Sequence, residues 1–117
     1  MATPPSDATE LLQGTLDLII LRALTWGPRH GCAVARWVQD ASGDALRVEE
    51  GSLYPALHRL AARGWIEAEW GTSENNRRAK FYRLTTLGRR QLRAETSRWE
   101  RFSGALGRIL VAGEQPA

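Results

Sequence analysis

The feature that most restricts what this chain can fold into is a change of hydrophobic period at Gly64: apolar residues recur every three or four positions before it and alternate after it. Over residues 11–25, Leu12, Leu16, Ile19, Ile20, Ala23 and Leu24 keep helical spacing until Gly27-Pro28 breaks it. Over residues 30–42, Val34, Trp37, Val38 and Ala41 share one face opposite Arg36, Gln39 and Asp40, and Gly43 supplies a left-handed stop. Residues 46–48 read as a short strand. A third helix is expected over residues 50–63, where Leu53, Leu57, Leu60 and Ala61 line up ahead of Gly64 and Pro55 falls near the first turn. Beyond Gly64, Ile66, Ala68 and Trp70 alternate with Glu67 and Glu69, and Tyr82 and Leu84 alternate with Phe81 and Arg83. These are two antiparallel strands around a protruding polar loop at residues 71–79. Thr85 or Thr86 then caps a last helix.

Three helices, a hairpin and a further helix define a fold that is mainly α with a small β-hairpin. That is the element order of a winged helix-turn-helix with an added C-terminal dimerisation helix. The expected division is a disordered tail at 1–9, the DNA-binding winged domain at 10–85, the C-terminal helix at 86–112 and a tail at 113–117. A chain of 117 residues supports one core and leaves little material for a deep enzyme cleft. The single cysteine, Cys32, forms no intrachain disulfide and suits a reducing compartment. With no basic n-region and no apolar run of membrane-spanning length, a cytoplasmic location and no membrane partner are expected.

No Gly-x-Ser-x-Gly elbow, phosphate-binding Gly-rich loop or His-Glu-x-x-His helix occurs, so an enzyme is not expected. His30-Gly31-Cys32 lacks further ligands at metal-site spacing, and no metal or cofactor is expected either. Glu49-Glu50 read as charges favouring a helix N-terminus, not as catalytic carboxylates.

Charge points to an anionic partner. Residues 1–50 carry net −3 and residues 51–117 net +6, and fifteen of the sixteen basic residues are Arg. With Leu53, Leu57 and Leu60 turned inward, Ser52, Pro55 and Arg59 lie on one flank of the third helix and Tyr54 and His58 on the other. Both flanks are candidate DNA contacts, with Arg59 as the foremost base or phosphate reader. Tyr54 and His58 could equally well cover the core edge. Arg77, Arg78, Lys80 and Arg83 carry +4 with no acid in residues 75–83, the footprint of a phosphate- or minor-groove-binding wing. In the last helix Leu92, Trp99, Phe102, Leu106, Ile109 and Leu110 are too many large apolar groups for a core this small, which predicts a homodimer interface. Trp99 could also stack on a flat ligand at that seam.

Taken together, Leu12-Gln13-Gly14-Thr15-Leu16-Asp17, Gly27-Pro28-Arg29-His30-Gly31, Gly51-Ser52-Leu53-Tyr54-Pro55-Ala56-Leu57-His58-Arg59-Leu60, Gly64-Trp65-Ile66 and Tyr82-Arg83-Leu84-Thr85 with Gly88 resemble the PadR family of transcriptional regulators. The resemblance runs from about Leu11 to Leu92. It implies a homodimeric repressor that binds double-stranded DNA at an inverted-repeat operator, in some members released by a small aromatic or drug-like effector. The short C-terminal helix is similar to that of a compact subfamily, in which it packs on the partner's first helix. By the same resemblance Ser52, Tyr54, Pro55, His58 and Arg59 belong to the recognition helix and Arg77, Arg78 and Lys80 to the wing. Many relatives have an aromatic residue after His-Gly where this chain has Cys32, whose thiol admits a redox response. The other readings of the sequence are a winged-helix protein-interaction module without specific DNA binding and an effector-binding sensor with weak DNA affinity.

Overall fold

A computed structural model describes residues 5–113, with side chains from Gly14 onward. The order is α1 (Pro5–Ala23), β1 (Arg29–His30), α2 (Gly31–Ala41), α3 (Glu50–Ala62), β2 (Ile66–Thr72), β3 (Arg78–Leu84) and α4 (Thr86–Leu110). The first helix begins at Pro5, so residues 5–9, expected in the tail, extend it. Proline suits that position because the first helical N–H has no partner to lose.

Ile20 and Leu21 of α1, Leu24 directly after it, Val34 of α2, Leu53, Leu57 and Leu60 of α3 and Ile66 of β2 are fully buried together. The core is therefore the meeting point of the three helical stripes and the first inward residue of the hairpin. Both α2 and α3 end in the same six-residue motif. Gly43 (φ 61°) and Gly64 (φ 76°) take the left-handed conformation, and the amides of Asp44 and Trp65 reach back to the carbonyls of Gln39 and Leu60 at 2.8 and 3.1 Å. At its start, α2 is capped by His30 Nδ1, which accepts from the Ala33 amide at 3.2 Å. Glu49 occupies the N-cap of α3 without a side-chain hydrogen bond, and Glu50 supplies the acidic first turn, so the pair acts through charge.

The sheet has three strands in the order β1-β3-β2, all antiparallel. Arg29 and His30 pair with Tyr82 and Phe81, and Arg29 Nε donates to the Ala23 carbonyl at 2.8 Å, which ties this short strand to the end of α1. Residues 46–48, expected as a strand, form none. The hairpin is also longer than expected: pairing runs out to Thr72↔Arg78, which leaves only residues 73–77 in the turn.

Thr85 fixes the start of α4. Its hydroxyl donates to the Gly64 carbonyl at 2.6 Å and accepts from the Gly88 amide at 2.9 Å. Leu92, expected at the dimer interface, belongs instead to the protomer's own core, at 8% exposure. Only Gly88 and Leu92 of α4 are buried.

Candidate nucleic-acid interface

Helix α3 contacts β2 of the hairpin. Ser52, Pro55 and His58 are exposed, and Tyr54 is 44% exposed. Tyr54 rests its ring on the start of α2: a Cβ built on Gly31 would lie 2.9 Å from the phenol oxygen and 3.0 Å from the ring. The exposed Cys32 side chain lies close enough to the phenol to act on its ionisation. Partial burial, reinforced by Cys32, raises the Tyr54 pKa above its ordinary value of 10.0, and burial does the same at Tyr82. Both phenols are neutral near pH 7.

Arg59 is placed differently from the other α3 candidates. Its guanidinium is ion-paired to Asp17 of α1, with side chains only 29% and 17% exposed, and Arg63 approaches the second carboxylate oxygen at 3.9 Å. The residue expected as the foremost reader is thus engaged in clamping α3 to α1. A double-mutant cycle of Asp17→Ala and Arg59→Ala should show a coupling of about 1–2 kcal/mol in urea unfolding, between the values for exposed and buried pairs. Additive losses would mean that the pair contributes nothing to stability.

On the hairpin, Arg77, Arg78 and Lys80 are exposed, and none has a carboxylate partner among the described residues. Arg83 differs from these three because it pairs with Glu67 across β2 and β3 at 3.0 Å. The turn is tethered through Glu74, whose carboxylate meets Arg36 Nη1 at 3.3 Å and lies 3.8 Å from His30 Nε2. The hairpin is thereby braced against α2 while its basic side chains face solvent. Along α4, Trp99, Phe102, Leu106, Ile109 and Leu110 are exposed, from 39% at Leu106 to 72% at Leu110, and the Trp99 and Phe102 rings sit 5.8 Å apart.

The family model of the PadR-like transcriptional regulators matches residues 20–94 of this chain. The chain belongs to the PadR-like family. Its fold is similar to that of a PadR family regulator from Eggerthella lenta, with 29% identity, 93% of each chain covered and a TM-score of 0.74. A PadR-like regulator from Bacillus cereus shares 27% identity over 90% of this chain and 99% of its own, with a TM-score of 0.75. An uncharacterised protein of Lysinibacillus sphaericus is 29% identical over 91 residues, covering 78% of this chain and 84% of the relative. As a PadR-like protein the chain is a winged helix-turn-helix, DNA-binding regulator of transcription rather than an enzyme. No helix among the described residues is long and apolar enough to cross a membrane.

Proposed function

We propose that the protein is a repressor that binds an inverted-repeat operator as a homodimer, with α3 reading the major groove and the wing holding the flanking phosphates. The observation that carries this reading is the set of cations Arg77, Arg78 and Lys80, without a carboxylate partner among the described residues, on a braced hairpin whose β2 strand contacts α3. Charge held next to a polar helix face contributes sequence-independent affinity, and the helix contributes selectivity. Ser52, Tyr54, Pro55 and His58 supply the solvent-facing groups of α3. Arg59 enters as an anchor that sets the angle of α3 through Asp17. The exposed α4 stripe supplies the dimer contact, and two protomers place two α3 helices for half-sites about one DNA turn apart. The exposed Trp99 ring is the proposed contact for a small aromatic effector at that seam.

The test is a fluorescence-anisotropy titration against the gene's own upstream DNA and a scrambled control at two salt concentrations. Tight binding to the upstream duplex alone, with two protomers per site and a steep loss in higher salt, is the expected result. Equal, weak binding to both duplexes would overturn autoregulation and favour the protein-interaction reading.

A further inference from the structure

The wing carries one large aromatic residue that neither the core nor the turn requires. Trp70 is 57% exposed near the end of β2, so its indole contributes little to burial. The register explains its position. Ile66, Ala68 and Trp70 share a face with their partners Leu84, Tyr82 and Lys80. Ile66, Leu84 and Tyr82 are buried, and the same face continues outward as Trp70 and Lys80 where no helix covers it.

The Arg78 guanidinium sits over the Trp70 ring, 4.6 Å from its centroid, in the diagonal relation available to long side chains across an antiparallel pair. Arg36, Arg59, Arg83 and Arg98 are all held by carboxylates, which offset their charge and occupy their N–H groups. A ring does neither. It attracts the cation through its face, leaves the charge uncompensated and leaves the in-plane N–H fork open to an oxyanion. A mobile arginine loses much of its rotamer freedom on binding, and one already held in place loses less.

We propose that Trp70 is a positioning residue for DNA binding, holding Arg78 with its N–H fork directed at a backbone phosphate. This rests on the reading of the wing as a phosphate-binding surface, and the test separates the two. The probe is a 30-base-pair duplex of random sequence, titrated over a series of salt concentrations. Trp70→Leu is expected to weaken binding about two- to fivefold, the scale of an exposed cation–π contact. It should also flatten the log–log salt slope by about 1, as losing one phosphate contact does. Arg78→Ala should match it, the double variant should lose no more than Arg78→Ala alone, and Trp70→Phe should retain most of the affinity because a ring remains. An unchanged salt slope in Trp70→Leu, or a Trp70→Leu loss that persists in the Arg78→Ala background, would overturn the proposal while leaving the wing reading intact. If Arg77→Ala combined with Lys80→Ala leaves affinity and slope at the wild-type values, the wing reading falls and this proposal falls with it.

Discussion

Alanine at Gly88 is expected to destabilise the protein by about 3 kcal/mol or more, the upper part of the range for overpacked sites. The same exchange in an open helix would stabilise by about 1 kcal/mol. The difference arises from the seam between the α3 stop and the start of α4. Thr85 donates its amide to the Trp65 carbonyl at 3.1 Å and its hydroxyl to the Gly64 carbonyl at 2.6 Å, drawing the first turn of α4 down onto that backbone. A Cβ at position 88 would then stand 1.9 Å from the Trp65 carbonyl oxygen and 3.1 Å from Leu84. The nearest obstacle is backbone, so no rotamer change relieves it. Either α4 lifts, which weakens the Thr85 cap and the Leu92 packing, or the Gly64 turn deforms. Thermal unfolding by circular dichroism should show the melting temperature lowered by on the order of 10 °C or more for a chain of this size. A shift of under about 2 °C would mean that the contact at Gly88 is looser than described.

The glycines that stop α2 and α3 were legible because their signal is local: a left-handed residue directly after an amphipathic run. The change of period at Gly64 likewise located the hairpin. What the sequence did not disclose depends on partners distant in the chain. Arg59 on the flank of a recognition helix looks like a reader of DNA, and only the fold brings Asp17, 42 residues away, under its guanidinium. Leu92 fits a stripe with Trp99 and Phe102, but periodicity cannot tell a helix face that meets its own core from one that continues past it. β1 has two residues, too few to make a period, and exists because β3 offers Tyr82 and Phe81 a neighbour. The outer rungs of the hairpin were read as loop because Thr72 and Arg78 are polar, as residues on a solvated wing are free to be. Trp70 showed its face by alternation with Ile66 and Ala68, but not that the helices end before reaching it.

Phe102→Asp is expected to weaken the proposed dimer by about thirtyfold or more while leaving the fold of each protomer unchanged. The second half of that statement follows from burial: Phe102 is 52% exposed, and its ring packs beside Trp99 on the same helix. The first half follows from symmetry. In a two-fold interface one substitution acts twice. Burying the exposed half of this ring contributes roughly 1 kcal/mol, so two copies lost amount to about 2 kcal/mol, or roughly thirtyfold in the dissociation constant. The introduced carboxylates add the cost of burying charge without a partner. Sedimentation equilibrium would show the shift from dimer to monomer, and a melting curve taken with it would show whether the protomer still unfolds cooperatively. Binding should change selectively. An inverted-repeat duplex gains affinity from two linked α3 helices and loses that gain when the protomers separate, whereas contacts within one half-site stay as they were. Undiminished dimerisation by Phe102→Asp would mean that another surface holds the dimer and that the exposed stripe at Trp99, Leu106 and Ile109 serves another partner.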